Sequence, residues 1–201
     1  MQTVVNKVKF TIYGHGRGWC MIPGYFRHAG SDASVRQALS LLNREGMIRR
    51  LAKGIYDYPL HDEVLGILPP DVKKVAKVIA DKNKIRIQPS GAYAANLMGF
   101  DDQVPARVVF VTDGVSKKIR VGNQEIIFRK SSPKFLAMAG TNMGLIIQAL
   151  RHLGKKNMTP RTEKVLKRHL SKIDPKQIKK ADVYAPAWIR DLIRKLKGGA
   201  A

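Results

Sequence analysis

The 201 residues carry 37 Lys+Arg against 15 Asp+Glu, a formal net charge of +22 with a pI near 10.4. Charge of that size repels itself unless a polyanion or an acidic partner neutralises it, while a hydrophobic content of 44% argues against a disordered basic tail. No apolar run approaches the ~18 residues of a membrane span, the first ten residues hold no continuous signal core, and a single cysteine, Cys20, excludes an intrachain disulfide and a multi-cysteine metal site.

In chain order, Val4, Val5, Val8 and Ile12 predict a first helix, ended by the glycines of Gly14-His-Gly-Arg-Gly18. Trp19-Cys-Met-Ile22 is a short apolar run, a small strand or the lead into the next helix. Pro23 to Ala29 reads as a short helix with Tyr25 and Phe26 turned inward, closed by Gly30. His15 and His28 lack ligand spacing and read as surface or packing residues. Ser31 or Asp32 then caps a helix that runs to Gly46. Val35, Ala38, Leu39 and Leu42 form its apolar stripe, so Ala33, Gln37, Ser40 and Arg44 lie opposite, flanked by Ser34 and Arg36. Two short β-like runs follow, Met47–Leu51 and Ile55–Tyr58, hinged at Lys53-Gly54. Helix, short helix, turn, helix and basic hairpin is the order of a winged helix-turn-helix.

Pro59 to Pro70 reads as a linker. Asp71 caps a helix to about Lys82, burying Val72, Val75, Ala76 and Ile79. Lys84–Gln88 reads as a strand, and Ser90 caps the small-residue helix Gly91–Met98, ended by Gly99. Arg107–Thr112 is a buried strand. Asp113-Gly114 marks a turn, and Lys118–Val121, Gly122-Asn123 and Gln124–Phe128 predict a hairpin. Helices follow over Asn142–Leu153, after Thr159-Pro160 with the stripe Val165, Leu166 and Leu170, and after Asp174-Pro175. The last starts at Pro186, with Trp188, Ile189, Leu192, Ile193 and Leu196 on one face. Residues 150–201 carry fifteen Lys/Arg against four acids, net +11, compared with +6 for residues 1–60. This raises a second anionic contact surface beside the default of a solvated face.

The chemistry of an enzyme is missing. No phosphate-binding Gly-x-x-x-x-Gly-Lys-Ser/Thr motif occurs, and the glycines at 14, 16 and 18 do not join a strand to a helix. Asp113 with Glu125 could suggest a metal nuclease, yet Ile127 stands where such a site wants lysine. Asp113 reads better as the turn residue of Asp-Gly. The expectation is a non-enzyme without cofactor or metal.

Four motifs occur in order: Gly46-Met-Ile-Arg-Arg-Leu-Ala-Lys-Gly-Ile-Tyr-Asp-Tyr-Pro59, Pro89-Ser-Gly-Ala-Tyr-Ala-Ala-Asn-Leu97, Gln103-Val-Pro105, and Val109-Phe-Val-Thr-Asp-Gly114 followed by Lys117-Lys-Ile-Arg120. Together they resemble the AbiEi-like antitoxins of type IV toxin–antitoxin systems over roughly residues 1–140. The resemblance implies an N-terminal winged helix that represses its own operon and a C-terminal part that counteracts a nucleotidyltransferase-like toxin. Arg36, Gln37, Ser40 and Arg44, with Ser34 beside them, can reach base edges or phosphates of double-stranded operator DNA. Arg49, Arg50 and Lys53 can clamp phosphates. Tyr93 and Asn96 can face the toxin, although core packing suits Tyr93 equally.

The resulting expectation is an α+β chain in the cytoplasm. Residues 1–60 form a winged helix-turn-helix and residues 61–201 a small α/β domain with a helical, basic C-terminus. The alternative is an RNA-binding or other nucleic-acid-associated basic protein without a toxin partner, which a low aromatic content of 7% weakens for stacked single strands.

Overall fold

The computed structural model describes residues 3–122 and 124–198 and is α+β throughout. It divides into two units, Met1–Lys84 with Arg120–Gln124, and Ile85–Ile119 with Glu125–Ala201.

In the first unit, the Thr3 side chain caps α1 (Val4–His15) by accepting from the Asn6 N–H, and Gly16 ends it at φ 77°. Strand β1 (Cys20–Met21) leads into a 3-10 turn over Pro23–Phe26, shorter than the helix expected to Ala29. Ser31 caps α2 (Asp32–Arg44), which ends just before Gly46. Its stripe of Val35, Ala38, Leu39 and Leu42 is fully buried and packs with Val8, Ile12, Met21, Phe26 and Ile48 into one core. Strands β2 (Arg49–Ala52) and β3 (Ile55–Asp57) turn at Lys53-Gly54, where Gly54 takes φ 67°. The sheet order is β1-β3-β2, all antiparallel.

The expected linker contains a small exposed hairpin, β4 (His61–Asp62) and β5 (Gly66–Ile67). Asp71 then caps α3 (Val72–Asn83) by accepting from the Lys73 and Lys74 N–H groups. Val75, Ala76 and Ile79 are buried as expected, with Val78 and Ala80, but Val72 is only half-buried. This helix falls in the first unit, so the expected boundary at residue 60 lies inside that unit. Lys74 Nζ donates to the Gly18 carbonyl, Tyr25 Oη donates to Asp81, and Lys82 Nζ donates to the Lys53 carbonyl.

The second unit is built on a four-stranded sheet: β6 (Ile87–Ser90), β7 (Arg107–Thr112), β8 (Lys117–Val121) and β9 (Gln124–Lys130), in the order β6-β7-β9-β8. β6 runs antiparallel to β7, and β7 parallel to β9. Asn123 of the expected Gly122-Asn123 turn lies outside the described residues. Asp113 is the turn residue after β7, and it accepts from the Arg86 side chain and backbone N–H, both at 2.8 Å. Those bonds hold its carboxyl below the usual carboxylate range.

Helix α4 (Gly91–Leu97) follows Ser90, whose hydroxyl donates to Gln148 (3.3 Å) instead of capping it. After α5 (Pro133–Leu136), a short turn not foreseen, come α6 (Asn142–Leu153), α7 (Pro160–Leu170), α8 (Pro175–Tyr184) and α9 (Ala187–Gly198). Ala94, Met143, Ile146, Leu150, Leu166, Leu170, Ile189 and Ile193 form their shared core. The expected faces hold, with Trp188, Leu192 and Leu196 partly buried against that core. The lysines of α7 and α8 stand outside.

Gly144 makes this packing possible. A Cβ at this position would meet the Met138 carbonyl oxygen at 2.1 Å and its carbon at 2.8 Å. That carbonyl already accepts from the Thr141 hydroxyl, which in turn accepts from the Gly144 N–H as the α6 cap. Neither side can yield without losing the cap. Gly144→Ala is expected to cost about 3 kcal/mol, read as a lower denaturation midpoint in urea; an unchanged midpoint would contradict this packing.

Candidate nucleic-acid interface

Helix α2 presents Arg36, Gln37, Ser40 and Arg44 as exposed side chains, because its 3.6-residue period has committed the opposite face to the core. Arg36 is paired only loosely, 3.7 Å from Asp32 one turn earlier, with both side chains about 70% exposed. Such a pair holds the arginine weakly.

Beside this face lies a cleft of about 610 Å³, wholly within the first unit. Arg36 comes from α2, Arg50 from β2, Lys53 and Gly54 from the β2–β3 turn, Arg27 from the end of the 3-10 turn, and Lys82 and Lys84 from the end of α3. Only two carboxylates, Asp32 and Asp81, line it against these six cations. The Lys82 Nζ bond to the Lys53 carbonyl joins the β2–β3 turn to the end of α3 at the cleft. Gly54 has the left-handed φ the turn needs, and a Cβ there would stand 3.3 Å from Lys82 Nζ.

The expected residues therefore separate. Arg36, Arg50 and Lys53 converge on the cleft, with Gln37, Ser40 and Arg44 on the same exposed helix surface. Arg49 does not join them. Its Nε and Nη2 donate to both oxygens of Asp57 at 3.1 and 2.6 Å, and Nη2 also reaches the Leu68 carbonyl at 3.2 Å. Arg49 and Asp57 are directly opposed across the β2–β3 ladder, and the Asp57 side chain is 2% exposed. The guanidinium compensates a buried carboxylate and is removed from the set of phosphate clamps; the same pairing raises its own pKa.

Ser34 is also withdrawn, because its hydroxyl donates to the Ser31 carbonyl at 2.9 Å and closes the helix start. Asn96 donates to the carbonyls of Asp101 and Gln103, so it shapes the loop after α4 and does not present its amide outward. Tyr93 is half-buried, its ring set edge-on to Phe110 at 5.6 Å.

Arg27, Lys82 and Lys84 were not legible as site residues, since nothing in their local sequence marks them. Among the described residues, no cluster of His, Cys, Asp and Glu could hold a metal, and no helix is long and apolar enough to cross a membrane. Cys20 is buried at the edge of β1, and desolvation, with Asp57 nearby, pushes its thiol up to about 12, so it is a neutral packing group.

No curated protein matches the chain. A family profile matches residues 7–178, covering both units, and by that match the chain belongs to DUF6088, a family of unknown function.

Proposed function

We propose that the protein binds duplex DNA through its first unit, acting as a winged helix-turn-helix. One observation carries this reading. The exposed polar face of α2 and the basic turn between β2 and β3 border one cleft with six cations and two carboxylates. Helix α2 is the reading element: Arg36, Gln37, Ser40 and Arg44 face base edges of the major groove, where bidentate donors and amides discriminate base pairs. Arg50 and Lys53 hold one phosphate backbone, and Arg27, Lys82 and Lys84 extend that hold. No step of bond chemistry is assigned to these residues; the protein acts by binding, in the cytoplasm.

The resemblance of four ordered motifs to AbiEi-like antitoxins supports the biological role. On that reading the chain represses its own operon and counteracts a nucleotidyltransferase-like toxin. The test has two arms. Gln37→Ala or Arg36→Ala is expected to lose about 1–3 kcal/mol on the promoter duplex of its own gene and much less on random duplex. Equal losses on both would remove α2 as the reader. Growth rescue by the intact chain against a toxin encoded beside it is the second arm. Rescue that persists in the Gln37 variant separates toxin neutralisation from repression, and failure of the intact chain to rescue rejects the antitoxin role.

A further inference from the structure

The first unit holds a second cleft, of about 520 Å³, between α1, β1 and α3. We propose that it binds a nucleotide, the base stacking on the His15 ring that Trp19 backs and the phosphate held by Lys74 and Lys77.

The rings of His15 and Trp19 stack at 3.9 Å with 13° between their planes, and Tyr25 lies within 20° of the Trp19 plane at 6.0 Å. The two rings lie face on face, so the half-buried Trp19 backs His15, and the exposed His15 ring is the aromatic shelf left open at the cleft. A planar heteroaromatic ring suits such a shelf, because stacking tolerates any base and is sequence-independent. Lys74 and Lys77 stand one turn apart on α3, both exposed and both lining the cleft. Lys74 spends one N–H on the Gly18 carbonyl at 3.1 Å and keeps two for an anion.

Asp81, one turn further along α3, accepts from Tyr25 Oη through Oδ2, so Oδ1 can accept from an exocyclic amine of the base. Shelf, paired cations and one acceptor make up the three parts of a nucleotide site. The neutral Cys20 thiol at its edge is unsuited to attack on the ligand, so the site binds without reacting. The bound unit is either a free mononucleotide or one residue of a single strand, since both offer the same base and phosphate.

The test uses the intact, 15N-labelled chain and the indole N–H resonance of Trp19, assigned by its loss in Trp19→Phe. AMP is expected to shift that resonance saturably, and ribose 5-phosphate is not. His15→Ala and Lys77→Ala, both at exposed positions, should each weaken AMP about tenfold. Arg50→Ala/Lys53→Ala should leave AMP binding unchanged while weakening duplex DNA, which keeps this site distinct from the duplex reading. An oligoadenylate that binds more tightly than AMP assigns the site to a strand, and equal affinity assigns it to the mononucleotide. Absence of a saturable shift at about 10 mM AMP, or AMP binding that survives the His15 and Lys77 changes but is lost with Arg50 and Lys53, overturns the proposal.

Discussion

Arg49→Ala is expected to destabilise the first unit by about 3 kcal/mol, the low end of the cost of breaking a buried ion pair, because the Arg49 side chain is 34% exposed. The Asp57 carboxylate, 2% exposed at the centre of the three-stranded sheet, would lose both bonds from the guanidinium. Water entering from the exposed side of the vacated site would replace them only in part. Arg49→Lys restores the charge but not the two-pronged geometry, so it should recover only part of the loss. Replacing both residues, as Arg49→Met/Asp57→Leu, should cost far less than the sum of the two single changes, because no uncompensated charge stays inside. Urea unfolding followed by the fluorescence of Trp19, which packs against the same core, in a Trp188→Phe background reads these differences. Additive losses would mean that the pair is not coupled as its distances imply.

Removing the three converging cations Arg36, Arg50 and Lys53 together is expected to weaken duplex binding about a hundredfold near physiological salt. The slope of log affinity against log salt should become shallower by about one for each phosphate that is no longer neutralised. All three side chains are exposed and make no buried bonds, so the variant should unfold at the wild-type urea midpoint. Fluorescence anisotropy of a labelled duplex across a salt series provides both numbers. A variant with unaltered slope would place these side chains away from the DNA backbone. Arg49→Lys serves as the internal contrast, since its charge is committed to Asp57 and its effect should appear in stability and not in salt dependence.

Most helices were legible because their determinants are local. Ser31, Asp71, Thr159 and Asp174 each cap the helix that begins at the next residue. The apolar stripe of α2 follows the 3.6-residue period without exception. What stayed hidden depends on distant partners. Arg49 looked like a phosphate clamp because its neutralising carboxylate comes from the register of β2 against β3, which local pattern does not set. Asn96 looked free because its acceptors are the backbone carbonyls of the next loop.

The placement of α3 is hidden from the sequence for a similar reason. Val75 and Ile79 announce a buried face, but the proline-flanked segment before them carries no signal about which core that face joins. Once α3 stands in the first unit, Lys82 and Lys84 come to the cleft beside Arg36 and Arg50, about thirty residues and more away in sequence. Arg27 arrives there in the same way from the other side of α2. Half of the cations at the candidate interface are therefore tertiary in origin. A fragment meant to carry the whole interface must include residues to Lys84, and one beginning near Asp71 would take α3 away from its partners.

The most direct test is the affinity of the intact chain for three labelled nucleic acids at one salt concentration: the promoter duplex of its own gene, a scrambled duplex of equal length, and the corresponding RNA strand. The promoter duplex is expected to bind at least ~10³-fold more tightly than the scrambled duplex, with RNA no better than the scrambled control. Equal affinity for all three, or a preference for RNA, would contradict a winged helix that reads duplex DNA through α2.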